Sequence, residues 1–117
     1  MQYLALIYGN ETEDAAIPET EMAGLMQEFG QFTQDIKTSG NWVGGSQLYP
    51  VSRATTIRLR DGKRSITDGP FAQTKEQLGG YYVIEANDLD QAIDIASRIP
   101  SARYGSIELR PIVPPRI

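Results

Sequence analysis

Every position from Tyr3 to Tyr8 is apolar or aromatic, leaving no polar side to face water. Such a run predicts a strand buried on both faces. The next stretch, Gly9 to Ile17, is polar and acidic and reads as a loop. A helix is expected from about Pro18, a residue suited to a first helical turn, with Glu19 and Glu21 favourable beside its N-terminal dipole. Met22, Leu25, Met26, Phe29, Phe32 and Ile36 recur at steps of three and four, which makes one apolar stripe. Ser39-Gly40 ends that helix. Gly24 and Gly30 each cost it about 1 kcal/mol relative to Ala, a cost that close packing against a neighbour would offset.

Asn41 to Leu48 reads as a second strand, with Gly44-Gly45 permitting a bulge or close backbone approach. Asp61-Gly62 is a two-residue hairpin turn, and folding about it pairs Arg60 with Lys63, Ile57 with Ile66 and Thr56 with Thr67. The Ile and Thr pairs are favourable, whereas Arg opposite Lys is not without an anion nearby. Thr67 to Gln77 is polar and turn-rich. Leu78 to Glu85 reads as a strand, with Tyr81 and Val83 on one face and Tyr82 and Ile84 on the other. Asp88 and Gln91 form a capping box for a second helix, whose stripe is Leu89, Ala92, Ile93, Ala96 and Ile99 and which Pro100 stops. Ile107 to Pro111 alternates and forms the last strand, before a Pro-rich tail ending at Ile117.

Without the hairpin the order is strand, helix, strand, strand, helix, strand. That is the split βαβ, or ferredoxin-like, arrangement of an α+β domain, with both helices on one sheet face. Two strands are nevertheless apolar on both faces, and no element remains to cover the second. Pairing two sheets in a homodimer is the economical solution.

The 117 residues, 40% hydrophobic and 22% charged, suit one folded domain over 1–117 with a core that needs no metal or disulfide. No run is long enough to span a membrane and no secretory leader is evident, so the expectation is a cytoplasmic protein. The chain has no Cys, which excludes disulfides, thiolate nucleophiles and zinc-thiolate sites. It has no His, which excludes a Ser-His-Asp triad and a His general base. A net charge of −4 argues against direct nucleic-acid binding. Charge is unevenly placed: residues 53–64 hold Arg53, Arg58, Arg60, Lys63 and Arg64 against Asp61 alone. The strip reads as a solvated hairpin, or more sharply as an anion- or partner-docking strip.

Asp68-Gly69-Pro70-Phe71, continuing as Ala72-Gln73-Thr74-Lys75-Glu76-Gln77-Leu78-Gly79-Gly80-Tyr81-Tyr82, resembles the signature of the DGPF, or YCII-related, domain family. Ala54-Thr55-Thr56, Ile99-Pro100 through Arg103-Tyr104-Gly105, and Glu108-Leu109-Arg110-Pro111 extend the resemblance over nearly the whole chain. It implies a dimeric α/β-barrel of ferredoxin-like protomers, in agreement with the count of sheet faces, and it implies no particular reaction. Some relatives are linked to extracytoplasmic-function sigma factors. Others carry a His on the first helix as part of a His-Asp dyad, but here that helix reads Met22-Ala23-Gly24-Leu25-Met26 and no His exists.

Physically, Asp68-Gly69-Pro70 is a turn in which the carboxylate can accept backbone N–H groups. Thr74 with Gln77 suits the cap of a short helical turn. In the functional reading this turn lines a pocket, with Asp68 or Glu76 as acid/base and Lys75 or Arg103 holding an anion. Gly69, Pro70 and Phe71 would line it, and Gly79-Gly80 would admit a ligand or form a bulge. Tyr81 and Tyr82 point to opposite faces, so only one of them can join a given pocket, and core is the commoner role for such aromatics. Trp42 is read as core or interface. Glu11, Glu13 and Asp14 read as a solvated acidic loop rather than a metal site. No cofactor motif and no recognised catalytic motif appears, which leaves enzymatic activity open.

Three functions compete at this level. The first is a homodimeric small-molecule-binding or accessory domain. The second is a metal-independent enzyme using Asp68, Tyr81 or Arg103 for proton transfer or oxyanion support. The third is a regulatory partner linked to a sigma factor, docking through the basic hairpin.

Overall fold

A computed structural model describes residues 1–116, and Ile117 lies outside them. The all-apolar run becomes β1 (Gln2–Gly9), a central strand of a four-stranded sheet. It is flanked by β5 (Gln77–Glu85) and β6 (Ser106–Pro111), with β2 (Trp42–Gln47) outside β5. The order β2-β5-β1-β6 is antiparallel throughout. With the helices below, this α+β arrangement is compatible with the ferredoxin-like fold.

The long helix α2 (Glu19–Thr38) starts one residue later than the sequence predicts. Pro18 is its N-cap, and the Pro18 carbonyl accepts the Met22 N–H at 2.9 Å. Only Phe32 and Ile36 of the apolar stripe are buried, while Phe29 packs against the core edge and Met26 is exposed. The expected close neighbour of Gly24 and Gly30 is absent from the protomer, since a Cβ at either would meet nothing within 4 Å.

The acidic stretch read as a loop contains a one-turn helix, α1 (Glu11–Ala15), which the Asn10 side chain caps through the Glu13 N–H at 3.0 Å. Helix α3 (Leu89–Ser97) is capped by Asp88 at Gln91 N–H, 2.8 Å, as predicted. The returning Gln91 amide oxygen meets the N–H of Asn87, not of Asp88, so the box is offset by one residue. Its buried stripe is Ala92, Ile95, Ala96 and then Ile99, whereas Leu89 and Ile93 are exposed. The predicted stripe was rotated, because a nine-residue helix with apolar residues on two sides does not declare its inner one.

Both long helices lie on the sheet face formed by Tyr3, Ala5, Tyr82 and Ile84, which join Phe32, Ile36, Ile95 and Ile99 in the core. Tyr82 meets Phe32 and Trp42 edge-on at 5.1 and 6.0 Å, and its hydroxyl lies 3.0 Å from Thr33 Oγ1. The alternate residues of β1 and β5, Leu4, Leu6, Tyr8, Tyr81 and Val83, point to the other face and are only half-buried. The chain is 19 Å across its thin direction, room for one sheet layer and one helix layer. Among the described residues no element covers that second face.

Between β2 and β5 the chain makes a separate two-stranded sheet, β3 (Thr55–Arg60) and β4 (Lys63–Asp68). Its register is the one read from the turn: Thr56 opposite Thr67, Ile57 opposite Ile66, Arg60 opposite Lys63. Asp61 and Gly62 both have positive φ, 52° and 74°, as the tight turn requires. The hairpin projects from the body. The radius of gyration is 16.3 Å, against about 13 Å for a compact chain of this length.

Candidate functional site

The Asp68-Gly69-Pro70-Phe71 turn closes the base of the arm. Gly69 has φ +99°, a conformation that a side chain would strain. Its N–H donates to Ala54 O at 2.7 Å, and its carbonyl accepts the Thr56 hydroxyl at 2.8 Å. Those bonds hold the turn, not the Asp68 carboxylate, which is exposed and accepts no hydrogen bond from the described residues. The expected carboxylate-to-backbone bond is therefore replaced by a Thr-to-backbone bond across the arm. Phe71 stands in solvent with the Arg58 guanidinium 4.9 Å from its ring centroid. Lys75 is exposed as well.

From Thr74 the chain turns into β5 without the helical turn expected there. The Thr74 hydroxyl bonds the Glu76 carbonyl, and Gln77 Nε2 donates to Thr74 O at 2.9 Å. Gln77 Oε1 also accepts the first N–H of α1, from Glu11, at 3.0 Å. Glu11 in turn accepts the Val51 N–H at 3.0 Å, which ties α1 to the root of the arm. Ser106 donates to Glu76 at 2.6 Å. Asp14 sits within this carboxylate group. Partial burial, then Glu13, Glu11 and Glu76, push its pKa above the ordinary aspartate value. Among the described residues no three His, Cys, Asp or Glu side chains are grouped as metal ligands would be.

Arg103 does not wait for an external anion. Its guanidinium grips Glu28 of α2 through two bonds, 3.0 and 2.7 Å. A groove of about 520 Å³ runs beside this pair, with Ile17, Leu25 and Tyr104 as apolar lining and Asp14, Glu13 and Glu21 as acidic rim.

Of the predicted tyrosines, Tyr81 is on the uncovered face, opposite Leu6 and Ser46. Tyr82 is core, so its place as a pocket candidate is corrected by burial against Phe32 and Trp42. Gly80 is also buried, and a Cβ there would lie 3.0 Å from Ser46 O, so close β2 packing explains this glycine. Gly79 is the bulge residue between the Ile7–Gly80 and Tyr8–Leu78 pairs. Asp68, Tyr81 and Arg103 thus occupy three separate places: the arm base, the open sheet face and the helix side. The structure does bring together Glu76, Asp14 and Ser106, a grouping the sequence reading missed because thirty residues separate Glu76 from Ser106.

The model of the YCII-related domain matches residues 1–116. An uncharacterised protein of Rhizobium meliloti (strain 1021) is 34% identical over 114 residues, which is 96% of this chain and 92% of the relative. No described helix is long and apolar enough to cross a membrane.

Proposed function

The chain belongs to the YCII-related domain family, and on that footing we propose that it acts as a homodimeric small-molecule-binding domain, its two open sheet faces turned toward each other. The observation that carries this reading is the uncovered face of Leu4, Leu6, Tyr8, Tyr81 and Val83. An apolar surface of that kind is stabilised by removal from water, at about 25 cal/mol per Å². Two such faces enclose an apolar space into which the Tyr8 and Tyr81 hydroxyls bring polar groups, a combination typical of small-ligand sites.

Light scattering at micromolar concentration tests the assembly, with about twice 13.0 kDa expected. Val83→Lys, which places a charge on the open face, should return the protein to monomer. A wild-type monomer would overturn the reading. Titration with the fluorescent probe anilinonaphthalene sulfonate tests the enclosed space: saturable binding that Tyr81→Ala weakens is expected, and no binding to the dimer would count against a ligand site.

A further inference from the structure

The arm has two chemically different faces. Strand alternation and the observed register put Ile57, Leu59 and Ile66 on one, together with Arg64 opposite Leu59 and, at the root, Thr55 opposite Asp68. The other carries Thr56, Arg58, Arg60, Lys63, Ser65 and Thr67. The three apolar side chains are 56–67% exposed. A lone two-stranded hairpin is marginal in water unless a hydrophobic face of it packs on something, and nothing among the described residues of this protomer covers that face.

We propose that this apolar face is an arm that docks in the groove between α1 and α2 of a second copy of the chain. The groove has what the arm lacks. It offers apolar lining at Ile17, Leu25 and Tyr104, and its rim carries the carboxylates of Glu13, Asp14 and Glu21. The arm offers its apolar side chains with Arg64 among them, while Arg58, Arg60 and Lys63 line its other face. Basic arm and acidic groove are complementary in both charge and polarity, which favours pairing and fixes its orientation. Within one copy the four cations of the arm, Arg58, Arg60, Lys63 and Arg64, form no salt bridge among the described residues. Each copy carries one arm and one groove, so a two-fold axis satisfies both contacts at once. Asp14 is a partly buried carboxyl among other acids, and an arriving Arg64 supplies the countercharge missing there.

This inference rests on the homodimer reading but concerns a different surface, so the two can fail separately. The absence of Cys makes the test clean. Leu59→Cys on the arm and Gly24→Cys in the groove are both exposed positions, and a Cβ at Gly24 meets nothing. Mixing the two single variants under mild oxidation should give a disulfide-linked pair of twice 13.0 kDa. Ser65→Cys, on the opposite face of the arm, should crosslink to Gly24→Cys far less. In parallel, Ile57→Ser should weaken dimerisation about tenfold, as expected for a buried interface side chain. A wild-type dimer that gives no Leu59–Gly24 crosslink overturns the arm alone and leaves the hairpin face for some other occupant. Equal crosslinking from both faces of the arm also overturns it. A wild-type monomer overturns both readings.

Discussion

Arg103 holds Glu28 with both ends of its guanidinium, Nη1 to Oε1 at 3.0 Å and Nη2 to Oε2 at 2.7 Å, across 75 positions of sequence. The pair joins α2 to the 3-10 turn at Pro100–Arg103. Hydrogen bonding from Arg103 comes first, and its charge adds to it, in lowering the Glu28 pKa. The contribution is present above the unfolded glutamate value and is lost as pH falls through the lowered folded one. In a carboxyl NMR titration Glu28 should titrate below the ordinary glutamate range. Arg103→Gln should move it back up, and so should molar salt, because both groups are in solvent.

Asp14 carries the opposite sign. Its folded pKa is raised, so protonated Asp14 favours folding. That contribution is full below the unfolded aspartate pKa and is lost as pH rises through the folded value. Asp14→Asn should therefore raise the melting temperature at pH 7 and lose that advantage at pH 3. Equal melting shifts at both pH values would show that the charge of Asp14 is not the destabilising element.

Helix α2 should be easy to strengthen. A methyl group at Gly30 meets no atom within 4 Å. Gly30→Ala is expected to stabilise the domain by about 0.5–1 kcal/mol in urea unfolding. A loss of stability would mean that something else packs on that face of the helix.

Gly105→Ala should do the reverse. Its Cβ would run into the Tyr8 carbonyl of β1, a backbone atom that cannot rotate away. A cost of about 1–3 kcal/mol is expected, as for other overpacked sites. Gly79→Ala is the control, since its nearest neighbour, Ile7 O, is 3.9 Å from the added atom.

Asp68→Asn should change stability by less than about 0.5 kcal/mol, as for other exposed side chains without partners. Thr56→Val, which removes the hydroxyl bonded to Gly69 O at 2.8 Å, should cost about 1 kcal/mol. Chemical denaturation of both variants tests whether Thr56, and not Asp68, holds this turn.

What the sequence revealed follows from how local each signal is. The arm register was legible because Asp61-Gly62 permits one tight turn and the pairing follows from it. The order of the strands and of the helices α2 and α3 was legible from period together with turn and cap residues. Helix α1 was not seen, although Asn10 three residues before Glu13 is a cap signal, because five residues without an apolar stripe carry no periodicity. The Arg103–Glu28 and Ser106–Glu76 contacts were out of reach, since each joins distant segments that only the folded sheet and helices bring together. The exposed apolar face of the arm was visible as Ile57 opposite Ile66. Its lack of any cover emerged only once the body was seen to be complete without it.

Both neighbours of β1 come from the second half of the chain: β5 ends at Glu85 and β6 at Pro111. During synthesis the run from Tyr3 to Tyr8 therefore leaves the ribosome with no strand to pair with. It stays unpaired until β5 has been made, at residue 85 of 117, with synthesis running at roughly 5–20 residues per second. For those seconds the most apolar segment of the molecule is an open edge, the usual template for misassembly between nascent chains. Folding speed is limited in the same way, because the central ladder closes only through contacts of long sequence separation.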